Sequence, residues 1–359
     1  MSNLTKFTSD WRNLPPDLIR CVAERLDAKE FVILRSVCPS WQSAVEGEYN
    51  AKTRVPWLIS FSESEYLFWS MSRVEVHRAR LPSRVGHLCY QGWMTIAQEA
   101  EGPGLKLFNP ISRIIIELPG PEMLRRVHKV ALSSSPSVSD NSVVMVHVQP
   151  DTFAFYHPRK RAWTTRTYLP QSQIMDLIHY KGRFVALDEK CRVITFDPKN
   201  KYKPQENRVV LEKFEGWPTF YLVECSGSLL FVVRQKHSSF DPVSSTRFQV
   251  CKVDLDGGTW TKAERLGSAS IFLSYECSFS VELKAKSRLP GIRANHIYFT
   301  DFFGLWDHKI LSYSMEDGTI KTHPELMPML AGTTPRWIQP SLCTNSLGRV
   351  NIGMHLINN

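Results

Sequence analysis

The sequence predicts a multidomain α+β chain: a small N-terminal unit of three helices, then a mostly antiparallel all-β domain, read as a β-propeller of about six blades. Three observations carry that expectation. Apolar residues at helical spacing open the chain, with Leu14, Leu18, Val22 and Leu26 each four apart. From about residue 55 the pattern changes to period-2 alternation broken by turn residues. Turn-centred segments then resemble one another at intervals of roughly 40–60 residues, close to the spacing of propeller blades.

A chain of 359 residues exceeds the roughly 250–300 at which one hydrophobic core stops growing. The change of pattern places the two units near residues 9–50 and 55–350. An aromatic content of 11%, with 10 Trp, suits β structure or a binding surface. No apolar run approaches the roughly 18 residues of a membrane span, and the start lacks a signal-peptide core. The expectation is therefore a protein of the nucleus or cytoplasm with no membrane partner. Eight cysteines (21, 38, 89, 191, 225, 251, 277 and 343) include no Cys-x-x-Cys pair. They read as reduced, mostly buried thiols, with no metal or other cofactor implied.

The first helix is justified by the stripe Leu14, Leu18, Val22 and Leu26, widened by Ile19 and Ala23. Pro15 and Pro16 suit its first turn, whose N–H groups lack helical partners, and Asp17 favours the positive end of the helix. Asp27-Ala28-Lys29-Glu30 has capping-box spacing and opens a second helix carrying Phe31, Leu34 and Val37. Pro39 cannot continue that helix, but it can start a third with Trp41 in its first turn. Three helices this short bury little of their apolar surface against one another. The remainder must pack on the rest of this chain or in a groove of another protein, and periodicity alone leaves both open.

These residues carry a resemblance. Leu14-Pro15-Pro16-Asp17-Leu18, then Val22 and Leu26, then Leu34-Arg35-Ser36-Val37-Cys38 and Trp41 fall at the intervals of an F-box, over about residues 10–47. The resemblance implies that Leu14, Pro15, Leu18, Val22, Leu26, Leu34, Val37, Cys38 and Trp41 contact a Skp-family adaptor or support that contact. Through the adaptor it implies the cullin and RING subunits of an SCF ubiquitin ligase. Pro39 and Gln42 depart from the family, many members of which carry basic residues beside the tryptophan.

The β elements follow from repeated turns. LKLFNPISRIIIELP, FAFYHPRKRAWTT and VITFDPKNKY each break between two strands at Asn109-Pro110, His157-Pro158 and Asp197-Pro198. FQVCKVDLDGGTWTKAE and KILSYSMEDGTIKTHPE align turn for turn, and YLFWSMSRVEVHRARLP (66–82) reads as a sixth copy. Strands such as KGRFVALD (181–188) and CSGSLLFVV (225–233) lie between them, and ALSSSPSVSDNS (131–142) reads as a loop. A four-stranded blade cannot bury both faces alone, so the copies must pack radially. The same irregular count would accommodate five or seven blades. With PRWIQPSLC near the end, residues 55–343 also resemble the kelch-like domain of unknown function that follows the F-box in many plant proteins. In such proteins the domain stands where a substrate receptor would.

Charge divides unevenly along the chain: residues 1–50 hold 6 basic and 7 acidic residues, and the remainder 38 and 28. A basic surplus in the β domain fits an acidic or phosphorylated protein partner, with Arg159, Lys160 and Arg161 and the KAKSR run (284–288) on expected loops. Simple solvation of those loops is the competing account. Nucleic acid is not expected, because blade cores need the same aromatics that base stacking would use. No nucleophile elbow, phosphate loop or paired-carboxylate pattern appears, and DLDGGTW reads as a turn. Ser228 and His87 read as structural. The chain is thus expected to be a non-catalytic substrate receptor that promotes ubiquitination and degradation of its substrate. The alternative is a propeller-type ligand-binding module or enzyme whose N-terminal helices pack in cis.

Overall fold

The structure, a computed structural model, describes residues 11–49, 55–62, 65–71, 73–80, 85–96, 104–121, 124, 126–136, 141–168, 172–208, 218–236, 246–274, 276, 278–283, 291–303, 307–326 and 335–341. The KAKSR run, Cys277 and Cys343 lie outside them. Three helices come first: α1 (Pro16–Ala23), α2 (Ala28–Ser36) and α3 (Pro39–Ala44). The strands that follow form six sheets.

Blade 1 takes β1 (Trp57–Phe61), β2 (Glu65–Ser70) and β3 (Arg73–Arg80). Blade 2 holds β4 (Val85–Tyr90), β5 (Trp93–Ile96), β6 (Gly104–Phe108) and β7 (Ile115–Pro119). Blade 3 holds β8 (Val127–Leu132), β9 (Val144–Val148), β10 (Thr152–His157) and β11 (Ala162–Thr167). In blade 4 are β12 (Ile174–Tyr180), β13 (Arg183–Asp188), β14 (Arg192–Phe196) and β15 (Pro204–Arg208). Blade 5 comprises β16 (Thr219–Cys225), β17 (Ser228–Lys236), β18 (Thr246–Asp254) and β19 (Thr259–Lys262). Blade 6 has five strands: β20 (Ala269–Leu273), β21 (Ser278–Glu282), β22 (His296–Phe303), β23 (Asp307–Ser314) and β24 (Ile320–Thr322). The last strand, β25 (Arg336–Ile338), returns to blade 1 and pairs antiparallel with β1, Trp57 opposite Ile338. This pairing closes the ring.

Blades 2 to 5 run in sequence order from the inner strand outward, all antiparallel. Their inner strands β4, β8, β12 and β16 contact one another in turn, and β21 continues the series. Blade 6 departs from the expected all-antiparallel unit. Its β20 is inserted between β21 and β22 and runs parallel to β22, with Phe272 opposite Tyr298. That extra strand accounts for the long spacing between the last two turn-centred repeats.

Apolar side chains fill every gap between neighbouring blades. One cluster joins blades 2 to 5, a second joins 5 and 6, and a third joins 6, 1 and 2. Aromatic contacts cross the gaps: Phe155 of blade 3 stacks on Tyr202 of blade 4 at 4.2 Å, and Phe272 of blade 6 packs edge-on to Trp337 of β25 at 5.0 Å. Trp57, Trp69, Trp93 and Trp337 are fully buried, so these four rings serve the core. Buried charges pair between blades, as where Arg234 of β17 donates to Asp301 of β22 and Lys129 Nζ lies 3.9 Å from Asp176 Oδ1. Of the described cysteines, Cys89, Cys225 and Cys251 are buried as expected, whereas Cys21 is exposed. Cys21 lies on the outer side of α1, away from the buried Ile19 and Ala23.

Two turn types repeat. The first-to-second-strand turns of blades 2, 4 and 5 are two-residue hairpins, Gln91-Gly92, Lys181-Gly182 and Ser226-Gly227, with φ of 47°/81°, 45°/81° and 47°/74°. Positive φ at both positions matches the turn twist to that of the strands, and glycine takes the second at no steric cost. The third-to-fourth-strand turns of blades 2, 3 and 4 begin with the expected X-Pro. They end on a left-handed basic residue, Arg113, Arg161 and Lys201 at φ 58°, 47° and 51°. Both turn types lie at the same end of the blades, since antiparallel strands reverse twice between them. DLDGGTW is a turn as well: Asp254 Oδ1 accepts from the N–H groups of Asp256 and Gly257.

Gly92 and Gly182 share φ of 81°, but a Cβ at Gly92 would fall 2.3 Å from Ser341 Oγ and 2.6 Å from Gln339 O, whereas one at Gly182 meets nothing. Gly182→Ala should therefore cost about 1–2 kcal/mol, from left-handed strain alone. Gly92→Ala should cost more by at least about 1 kcal/mol, because it also displaces the segment after β25. Urea unfolding of the two variants checks the difference.

His147, buried on β9 with its ring 4.9 Å from Phe153, is held at a pKa of about 4 by burial and by the neighbouring His128, against an ordinary 6.5. The unfolded chain therefore binds the proton first as pH falls. Its contribution is whole above about 6.5 and is lost progressively as pH falls from there towards about 4. His147→Asn should flatten the acid limb of a stability-against-pH curve over that window.

Candidate functional site

The N-terminal helices are built as their local sequence dictates. Pro15 caps α1 and Pro16 occupies its first position. At α2 the Asp27 carboxylate accepts from Glu30 N–H at 2.8 Å, and Glu30 accepts in return from Asp27 N–H at 3.1 Å. Both arms of the capping box are formed. Pro39 opens α3, and Trp41 in its first turn donates from Nε1 to Trp11 O at 3.0 Å. Arg20 ties α1 to α3 by donating from Nε to Ala44 O at 3.1 Å.

A small core of Ile19, Ala23, Phe31, Leu34, Ala44 and Val45 lies between the helices, with Leu14, Leu26 and Trp41 packed against it. The periodic stripe of α1 is thereby split. Leu14 and Leu26 turn inward, while Leu18 and Val22 between them are 52% and 41% exposed. On α2 and at its C-cap, Ile33 and Val37 are 50% and 55% exposed, again four residues apart, and Trp11 is 66% exposed. Pro15 is exposed and Cys38 half-buried, its thiol 3.1 Å from Ser40 Oγ. Hydrogen bonds from Ser40 and the Trp41 backbone hold that thiol below its ordinary pKa. Leu34, at 4% exposure, belongs to the core and can act on the surface only by supporting it.

The rest of the apolar surface packs in cis. Ala28 is fully buried in the cluster shared by blades 6, 1 and 2. Tyr49 packs edge-on to Phe31 at 5.1 Å and donates its OH to Pro340 O at 2.7 Å, just after β25. Asn109 Nδ2 in turn donates to Ser341 O and Oγ. The helices are thus fixed at the end of the propeller that carries the two-residue hairpins. Sequence reading missed Ile33 and Tyr49. The i, i+4 relation of Ile33 to Val37 could have revealed the first, but nothing local marks the second.

Arg159, Lys160 and Arg161 sit together, exposed, on the turn between β10 and β11. That turn recurs with a basic last residue in blades 2 and 4. Ser228 is the first residue of β17 and pairs with Cys225 across the hairpin. Between the Lys181-Gly182 and Ser226-Gly227 turns a cavity of about 330 Å³ opens, bordered by Tyr180, Trp260 and Lys252. Among the described residues, no cluster of three or more His, Cys, Asp or Glu is placed to hold a metal ion.

Comparison with known proteins bears on both units. A model of the KIB1-4 beta-propeller matches residues 67–320, and a model of the F-box domain matches residues 11–52. An F-box/kelch-repeat protein of Arabidopsis thaliana is 27% identical over 355 residues, covering 92% of this chain and 94% of the relative. Two F-box proteins of the same plant are 25% and 24% identical, covering 81% and 87% of this chain and 79% and 81% of their own.

The Tyr49 hydroxyl links the helices to the segment that closes the ring. Tyr49→Phe should keep the packing on Phe31, leave Pro340 O unpaired, and lower stability by about 1 kcal/mol. Hydrogen exchange should rise at β25 as well as in α2, and thermal unfolding with exchange read by mass spectrometry checks both.

Proposed function

The chain belongs to the KIB1-4 beta-propeller family and carries an F-box, and on that premise we propose that it is the substrate-recognition subunit of an SCF-type ubiquitin ligase. The F-box helices dock a Skp-family adaptor, which brings the cullin and RING subunits. The propeller holds a protein substrate for ubiquitination and consequent degradation, in the nucleus or cytoplasm. The chain itself supplies binding and orientation, and the bound conjugating enzyme supplies the chemistry.

One observation carries this reading. Leu18, Val22, Ile33 and Val37 stay exposed although the helices are already packed on the propeller through Ala28 and Tyr49. Exposed apolar side chains four residues apart on short helices are what a partner groove receives. Pro15 and the half-buried Trp41 and Cys38 border the same helices. The reading that the helices only pack in cis accounts for Ala28 and Tyr49 but leaves those four side chains without a role.

The double variant Leu18→Ala/Val37→Ala changes exposed residues, so the helices should still fold. Each truncation should forfeit about 1–1.5 kcal/mol of apolar burial, and adaptor affinity should fall roughly thirtyfold to over a hundredfold in calorimetry. Affinity within about twofold of the parent would sink the assignment.

A further inference from the structure

A cavity of about 430 Å³ opens in blade 6, between the connection from β21 to β22 and the β23–β24 turn. Its chemistry is carried by Arg293, His296, Tyr298, Lys321, His323 and Glu325. The floor is satisfied internally. Tyr298, 1% exposed, accepts from Arg293 N–H at 2.9 Å and donates to Gly291 O at 3.3 Å. Burial raises its pKa, so the phenol stays neutral. The one carboxylate among those six is engaged as well: His323 Nδ1 lies 2.9 Å from Glu325 Oε1, and its Nε2 lies 2.8 Å from Ser312 Oγ.

The two cations at the rim have no such close partner, although, against the effect of burial, the charge of Lys321 acts on Glu325 and helps to lower its pKa. Arg293 and Lys321 are both exposed, and neither forms an ion pair within 4.0 Å among the described residues. His296 Nδ1 is taken by Ala294 O at 2.7 Å, which leaves Nε2 as its second ring nitrogen. A guanidinium, an ammonium and an imidazole therefore border one concave space. The basic turn at Arg159–Arg161 carries three cations, but they stand exposed side by side on a hairpin tip.

We propose that this cavity binds a phosphate group. Phosphate presents about two negative charges and three acceptor oxygens, enough to engage the fork of Arg293 and the point charge of Lys321 together. A carboxylate, with one charge and two oxygens, would be used up by Arg293 alone. Nucleic acid is disfavoured because Tyr298 is buried and offers a base no face to stack on. The phosphate belongs either to a modified side chain of a protein or to a free polyphosphate. The receptor role proposed above matters only to the first source, and phosphate binding can be measured on the chain without any adaptor.

The test is calorimetry on the full-length chain with three probes: a phosphoserine peptide, its unphosphorylated twin, and inorganic tripolyphosphate. Saturable binding of a phosphate probe is expected, weakened roughly tenfold or more by Arg293→Ala and again by Lys321→Ala. The variant Arg159→Ala/Lys160→Ala/Arg161→Ala should change it by less than about twofold. Tighter binding of the phosphopeptide assigns a protein source, and tighter binding of tripolyphosphate a free one. Melting curves confirm that the exposed substitutions leave the fold intact. The proposal is overturned if no phosphate probe saturates, if the unphosphorylated twin binds equally well, or if Arg293→Ala and Lys321→Ala leave the affinity unchanged. A lost adaptor interaction in Leu18→Ala/Val37→Ala, with phosphate binding kept, separates the two readings.

Discussion

The pairing of β25 with β1 is the constraint on which the rest of the molecule depends. A twisted four-stranded sheet with apolar residues on both faces cannot be stable alone, and each blade buries its faces only against two neighbours. Blade 1 lacks an inner strand until residues 336–338 supply it. With that strand in place Trp337 lies 5.0 Å from Phe272 of blade 6, and the third apolar cluster spans blades 6, 1 and 2. The same segment then meets Gly92, Asn109 and Tyr49, so ring closure and helix placement share one set of atoms.

Local chemistry wrote much of this architecture into the sequence. The capping box at Asp27–Glu30 and the restart at Pro39 involve neighbours three or four residues apart, and they formed as read. The X-Pro turns recurred because each must reverse the chain between a third and a fourth strand, and their repetition led to the six blades now observed. What stayed hidden depends on partners far along the chain. Whether Leu18 or Ile19 faces inward is decided by which side of α1 meets α3, not by α1 itself. The parallel neighbour of β22, 26 residues earlier at the Ile271–Leu273 ladder, has no local mark, because a strand reads alike in either direction.

Charge was legible as a sum but not as a place. The surplus beyond residue 50 drew attention to Arg159–Arg161, three cations contiguous in sequence. The concave cationic site instead joins Arg293 to Lys321 across a hairpin, and no window of sequence displays that pair together. Contiguous basic residues at a turn tip each face solvent separately, whereas Arg293 and Lys321, though exposed too, border one concavity and can converge on a single anion. Concavity decides the matter.

The link from Tyr49 to Pro340 also has a meaning in time. Synthesis makes the helices long before the closing strand, since Tyr49 and Pro340 are 291 positions apart. The helices can form their own small core early, but their angle to the propeller is not defined until the ribosome has released residues 336–341 and the ring has shut. A chain cut short before that point would carry Leu18, Val22, Ile33 and Val37 on a loosely tethered unit. Correct posture of the first domain is thus a report on completion of the second.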